Sequence, residues 1–293
     1  MKDSIKRVVI TGSTGFLGSR LYLYLKDKYE VILTTRELVD ITNQESVTGF
    51  LEKTKPDILI HCAAISDTRY AQSHQEEHEV MNVLVPYYLA SACEKIGARM
   101  IFMSSDQIYN GNTLHGDTYD LLADAAREEI DDCPISVYAD GKKRAEKKVL
   151  AACQDAVCLR LSWMFDVPRE GCKTSANIIT NLMAAIKEQQ DVYFSERDYR
   201  PMTYVQEVVV NIEKMFFVPA GSYNFGGSNT LSSYEIAKIV EKLMSGGVEK
   251  SFVQKNEVRF ADRARNMTMA YDKINSQGIF FSDAIEGIKS CLE

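Results

Sequence analysis

The sequence predicts a doubly wound α/β core, a parallel sheet with helices on both faces, followed by a smaller and less regular α/β lobe. Three observations predict it. Short, unbroken apolar runs alternate with longer amphipathic segments through the first two thirds of the chain. A glycine triplet directly follows the first of those runs, and the rhythm loosens after Trp163. Runs without polar alternation suit strands buried on both faces, and the segments between them are long enough for crossover helices.

In chain order the expected strands are RVVIT (7–11), EVILTT (30–35), DILIHCA (57–63), RMIFMSS (99–105) and AVCLRLS (156–162). A helix over about 175–189, a strand at VYF (192–194) and a helix opening near Leu231 follow. No Pro- or Gly-rich linker and no repeat marks a boundary, so the division is soft. Residues 1–165 form the first domain and 166–293 mainly the second, with some segments returning to the first.

Composition narrows the function. The 293 residues carry 34 basic and 41 acidic side chains, a net charge of −7 without a long Lys/Arg run, which argues against nucleic acid as a partner. No stretch of roughly 18 apolar residues exists to span a membrane. The start MKDSIKRVVITG has no apolar leader, and the seven cysteines form no Cys-x-x-Cys pair, so a reducing cytoplasm is expected. Assembly state is left open, with a homodimer allowed.

TGSTGFLG places Gly12, Gly15 and Gly18 at three-residue intervals between a strand and the helix-like SRLYLYLKDKY. Glycines there let the backbone turn tightly and approach a pyrophosphate, which then lies on the amides and positive dipole of the helix N-terminus. Thr14, Phe16 and Leu17 share the turn and join the cofactor-binding positions. An unliganded strand-to-helix turn is the competing reading. At the end of the second strand, where a carboxylate would hold ribose hydroxyls, stand Thr35 and Arg36. With no acid to repel a 2′-phosphate and a guanidinium to bind one, the site favours NADP(H), with NAD(H) admissible.

The spacing Tyr-x-x-x-Lys occurs four times, at Tyr22/Lys26, Tyr24/Lys28, Tyr138/Lys142 and Tyr234/Lys238. It puts both groups on one helical face, and context must choose among the four. In open α/β sheets ligands lie beyond the carboxyl ends of the strands. Ser104, Ser105 and Asp106 end the fourth strand, and SVYADGKKRAEKKVL precedes the fifth, so Tyr138 and Lys142 can face those serines. The other pairs sit where Tyr and Lys serve packing and solvation.

TGSTGFLG, HCAA, MSSDQIY and YADGK, in this order, resemble the extended short-chain dehydrogenase/reductase family, in its branch that reduces 4-ketosugar nucleotides. RELVDIT, RLSW, YNFGGSNTLSSYEIA and the final DAIEGIKSCL extend the likeness over nearly the whole chain. The resemblance implies a Rossmann domain carrying NADP(H) and a C-terminal lobe for a sugar-nucleotide substrate. It implies that Tyr138 protonates the substrate oxygen, that Lys142 binds the nicotinamide ribose and lowers the Tyr138 pKa, and that Ser105 hydrogen-bonds the carbonyl. Asp40 and Ile41 fall where the family contacts adenine, and Ala63 and Ala64 where the cofactor lies. Asp40 as a turn cap and the alanines as core are the competing readings. Ser105, Asp106, Trp163 and Arg200 are the substrate positions, with Arg263 and Arg265 as further partners for phosphate.

Departures from the pattern concern the substrate side. AAISDTRYAQSH lacks the aromatic-Thr pair that follows the alanines, and Gly141 stands before the lysine where the family has Ser or Thr. A mid-helix glycine costs roughly 1 kcal/mol against alanine, so Gly141 marks either a close approach or a tolerated blemish. Gln107 replaces the acid that a sugar-nucleotide dehydratase needs after its Asp, which disfavours dehydration. Epimerisation, which recycles its cofactor, stays open, as does a regulatory subunit that keeps the nucleotide fold without turnover. His61, His74, His78 and His115 are read as no metal site, with HQEEHE a solvated helix face.

Overall fold

The computed structural model describes residues 5–114, 121, 123–245 and 250–293. The first half alternates as expected: β1 (Arg7–Thr11), α1 (Phe16–Leu25), β2 (Glu30–Leu33), α2 (Gln44–Thr54), β3 (Ile58–His61), α3 (Thr68–Ser73), α4 (Gln75–Glu79), α5 (Val85–Ile96), β4 (Arg99–Ser105), α6 (Val137–Ala152) and β5 (Ala156–Leu161). One π turn, Val80–Leu84, joins α4 to α5, and a 3₁₀ turn, Asp106–Tyr109, leaves β4. β2 and β3 stop short of the expected ends, so Thr34, Thr35, Cys62 and Ala63 lie beyond the last paired residues, at the carboxyl edge.

The second half runs β6 (Trp163–Phe165), α7 (Ile178–Glu188), β7 (Val192–Phe194), β8 (Asp198–Tyr199), β9 (Met202–Tyr204), α8 (Val205–Asn211), β10 (Gly221–Phe225), α9 (Ser233–Ser245), β11 (Val253–Lys255), β12 (Arg265–Asn266), α10 (Asp272–Asn275) and α11 (Ala284–Leu292). A six-stranded, all-parallel sheet has the order β10-β5-β4-β3-β1-β2. Three two-stranded parallel pairs, β6-β9, β7-β11 and β8-β12, form outside it.

Burial on both faces explains the unbroken apolar strands. Val8 and Ile10 point into a layer with Leu17 and Leu21 of α1 and Val205 and Val208 of α8. Val9, between them, points into the opposite layer with Val47 and Leu51 of α2, Leu89 of α5 and Val149 of α6. Each such side chain contributes roughly 1.5–3 kcal/mol by leaving water. A third apolar cluster, separate from these, gathers Phe165, Ile178, Leu182, Ile236, Val240 and Ile288.

β10 escaped the sequence reading because GSYNF has few apolar residues. Its Asn224 is fully buried and fully engaged: it accepts from the Tyr109 hydroxyl (2.8 Å) and donates to the Ala126 and Ala270 carbonyls (2.9 Å each). A buried amide with partners on both ends costs the strand little. Caps set the helix starts: Ser136 Oγ accepts from Ala139 N ahead of α6, and Asn177 and Thr180 form a capping box ahead of α7. Among the described residues no helix is long and apolar enough to cross a membrane.

Candidate active site

The glycine turn is built by steric necessity. Gly12 has φ +67°, and a Cβ on it would meet the Ala63 amide nitrogen at 2.6 Å. A Cβ on Gly18 would meet the Gly12 carbonyl oxygen at 2.2 Å, so α1 docks on the turn only through glycine. Gly15 caps α1 with no side-chain hydrogen bond, which leaves the first-turn amides of Phe16, Leu17 and Gly18 without a side-chain acceptor. Below the turn, Thr11 Oγ1 and His61 Nδ1 lie 2.6 Å apart, and Ala63 N donates to Thr11 Oγ1 (3.3 Å), bringing Ala63 and Ala64 beside Gly12. This cradle, closed to side chains and open to an anion, fits the pyrophosphate of a dinucleotide.

At the end of β2, Thr35 and Arg36 are exposed. Among the described residues no hydrogen bond or ion pair holds the Arg36 guanidinium, whereas the neighbouring Glu37 carboxyl is drawn down by a hydrogen bond from Thr35 and by Arg36 itself. Asp40 accepts from the backbone (2.9 Å) and hydroxyl (2.6 Å) of Thr42, so its carboxylate caps its own turn beside Ile41.

β4 and α6 bring Ser105, Tyr138 and Lys142 together. The Tyr138 phenol, 8% exposed, lies near enough to Ser105 for that hydroxyl to favour its ionised form. Lys142, 3% exposed, donates to the Met103 carbonyl (2.8 Å), and its ammonium stands 4.8 Å from the Phe102 ring centroid and 5.9 Å from that of Tyr138. Ser105 Oγ also accepts from Gln107 N (3.2 Å), which orients it at the head of the 3₁₀ turn. The expected fall in the Tyr138 pKa is corrected here. Burial pushes the phenol up to about 12, opposed by the Ser105 hydrogen bond and reinforced by the Asp106 charge. Burial likewise draws Lys142 down to about 8, with Glu146 resisting. Desolvation outweighs the attraction that spacing alone suggests, because both groups sit inside the protein and the ammonium is turned to a carbonyl.

The substrate positions also converge. Asp106, 2% exposed, pairs with Arg200 (3.3 Å), whose guanidinium lies 4.8 Å above the Trp163 ring. Among the described residues Arg200 Nε is buried without a hydrogen-bond partner. Arg265 is close enough to Arg200 for their charges to oppose, and it is paired with Asp198 (2.8 Å). Arg263 is exposed on the neighbouring loop.

The other Tyr/Lys pairs are structural. Tyr22 packs on the sheet core, Lys28 lies 3.7 Å over the Tyr24 ring, and Lys238 binds Glu241 (2.8 Å). The reading of HQEEHE as a solvated face is corrected in part: His74 is exposed and stacks on Tyr70, but His78 is only 1% exposed. His115 lies outside the described residues. Among the described residues no three His, Cys, Asp or Glu side chains gather as metal ligands. Sequence reasoning missed Asn82, buried in the π turn, which accepts from Ile65 N and donates to Ile65 O (2.9 Å each), pinning the loop after Ala63 and Ala64. Its signal was an amide at the centre of the apolar run VMNVLV.

A parallel sheet whose carboxyl edge carries this glycine cradle and this Ser/Tyr/Lys cluster places the chain among the extended short-chain dehydrogenases/reductases. Within that class the chain belongs to the RmlD substrate binding domain family, whose profile matches residues 6–293. The spore coat polysaccharide biosynthesis protein SpsK of Bacillus subtilis is 25% identical over 80% of this chain and 78% of its own length. The dTDP-4-dehydrorhamnose reductase of Mycobacterium tuberculosis H37Rv is 31% identical over 56% of this chain and 52% of its own. Methionine adenosyltransferase 2 subunit beta of Xenopus laevis is 26% identical over 79% and 70%. In fold, the chain is similar to the dTDP-4-dehydrorhamnose reductase of Bacillus anthracis crystallised with NADP, with a TM-score of 0.83, 22% identity, and 98% of this chain and 99% of that one covered.

Proposed function

We propose that the protein uses NADPH to reduce the 4-keto group of a nucleoside-diphosphate deoxysugar, with dTDP-4-dehydrorhamnose as the foremost substrate. The observation that carries this is the convergence of buried Tyr138 and Lys142 of α6 on the end of β4, where Lys142 binds the Met103 carbonyl (2.8 Å) two residues before Ser105. The cradle of Gly12, Thr14, Gly15, Phe16, Leu17 and Gly18 holds the pyrophosphate, Thr35 and Arg36 the 2′-phosphate, Asp40 and Ile41 the adenine, and Lys142 the nicotinamide ribose, with Ala63 and Ala64 leaving room along the way. When bound, NADPH supplies the hydride that reduces the carbonyl carbon.

The chain's own residues handle the oxygen. Ser105 donates to it and orients it, and Tyr138 passes its phenolic proton to it as negative charge develops. A phenol with a pKa near 12 is fully protonated at neutral pH, yet remains a far stronger acid than the alcohol it forms, so it is suited to donate in the reductive direction. Lys142, charged below about pH 8, stabilises the phenolate left behind until solvent returns the proton. Arg200, partly exposed and seated on Trp163, offers its guanidinium for a charge-assisted hydrogen bond to the substrate diphosphate. The cysteines are all unbonded, which suits a cytoplasmic setting.

The test mixes purified protein with NADPH and a panel of 4-ketosugar nucleotides and follows NADPH absorbance. Consumption with the thymidine-linked deoxysugar alone supports the full reading, and consumption with a different ketosugar keeps the class while replacing the substrate. Sugar interconversion without net consumption identifies an epimerase. Tight NADPH binding without turnover on any sugar supports a non-catalytic, regulatory role.

A further inference from the structure

His78 of α4 is buried against α6, and its ring abuts Gly141 one turn beyond Tyr138. A Cβ built on Gly141 would meet His78 Cε1 at 2.2 Å, with Nε2 at 3.1 Å and Nδ1 at 3.2 Å, so the ring edge rests on the bare backbone of α6. The imidazole lies 6.0 Å from the Tyr138 ring at a 55° tilt. Neither ring nitrogen has a hydrogen-bond partner among the described residues. The carboxylates nearest in charge, Glu79 and Asp140, are both taken by Arg144: its two terminal nitrogens bind Glu79 (2.7 Å each) and its Nε binds Asp140 (2.7 Å). Arg144 thus clamps α4 to α6 around a ring that it leaves unpaired.

Burial, together with Lys142 and Arg144, holds the His78 pKa below the usual histidine range against the pull of Glu79 and Asp140, so the ring is neutral at physiological pH. An uncharged imidazole with idle nitrogens contributes shape. An unpaired buried polar group and a mid-helix glycine are each unfavourable, so two unfavourable choices meet at one contact. Each makes sense through the other, since only glycine at 141 admits a ring from 78.

We propose that His78 is a positioning residue for Tyr138, and that Gly141 is its obligate seat. The ring fills the space beneath the phenol, sets how closely α6 approaches α4, and confines Tyr138 to the orientation that faces Ser105. This rests on the reading of Tyr138 as the proton donor, but the placement of the ring can be measured without turnover.

Three full-length variants test it: His78→Ala, Gly141→Ala and the double change. Each is assayed with NADPH and whichever 4-ketosugar nucleotide the wild type turns over, and each is labelled with ring-¹³C tyrosine, the Tyr138 signal being assigned by its loss in Tyr138→Phe. Each single change is expected to shift or broaden the Tyr138 signal and to lower kcat roughly 10- to 100-fold with the NADPH dissociation constant within about twofold, as for a displaced reacting group. The double change is expected to return both readouts toward wild type, because the new methyl occupies space the ring vacated. Singles that leave the Tyr138 signal and kcat unchanged, or a double change whose losses add, would overturn the proposal. If the wild type reduces no ketosugar, the functional reading fails while the Tyr138 signal still decides this one.

Discussion

Tyr138 and Lys142 are opposed by the environment that makes them useful. Burial raises the phenol to about 12 and lowers the amine to about 8, so near neutral pH the phenol is protonated and the amine carries a charge that the interior disfavours. Tyr138→Phe keeps the ring and removes the transferable proton: reduction should fall at least about 100-fold, the usual contribution of a general acid, with NADPH affinity by calorimetry nearly unchanged. Residual activity above that level would take the acid role from Tyr138. Lys142→Met should remove activity and yet stabilise the fold. Between pH 8 and the ordinary lysine value of 10.5 the unfolded chain holds a proton that folded Lys142 has given up, so native stability rises with pH across that window and the buried charge costs the fold below it. Thermal unfolding at pH 7 should therefore favour Lys142→Met by roughly 1–3 kcal/mol, a gap that closes near pH 10. Reduction by the wild type should decline above about pH 8, as the charge facing the phenolate is lost. Spacing and position after a strand put Tyr138 and Lys142 opposite Ser104, Ser105 and Asp106, and the family likeness singled out Ser105. They did not give the sign of the Tyr138 shift or the burial of His78, because both depend on which helix packs over α6.

At the scale of elements, the glycine turn was legible because strand, glycines and helix come in order, and its packing adds a second reason for the same residues. Gly12→Ala places a methyl 2.6 Å from the Ala63 backbone at a φ of +67°, which should cost roughly 2–4 kcal/mol in urea unfolding and abolish NADPH binding. A variant that binds NADPH normally would mean that the cradle does not hold the pyrophosphate. The loop after β2 should decide cofactor choice. Arg36 is exposed and unpaired among the described residues, so Arg36→Ala should weaken NADPH by about tenfold, the worth of a charge-assisted contact, and leave NADH unchanged in calorimetry. Equal loss for both cofactors would show that Arg36 does not reach the 2′-phosphate. The five strands of apolar character were visible in sequence, whereas β10 was not, since its Asn224 is made tolerable only by Tyr109, Ala126 and Ala270, far away in the chain.

Across the whole molecule, buried charges join the two halves. Arg20 of α1 binds Asp166 (2.9 Å), tying the cofactor helix to the segment after β6, and Arg200 reaches Asp106 at the end of β4. Asp106, Trp163 and Arg200, the residues proposed for the substrate, therefore converge where long-range contacts meet, which explains why only family likeness and not local pattern pointed to them. Under the proposed function hydride leaves NADPH for good and ends in the product, whereas an epimerase would return it to the cofactor. The most direct measurement supplies NADPH deuterated at the transferring position, with dTDP-4-dehydrorhamnose, and analyses the product by mass spectrometry and NMR. One deuterium is expected at C4 of the product for each NADPH consumed. Tight cofactor binding with no label in any product, or an isomerised sugar with NADPH left intact, would contradict it.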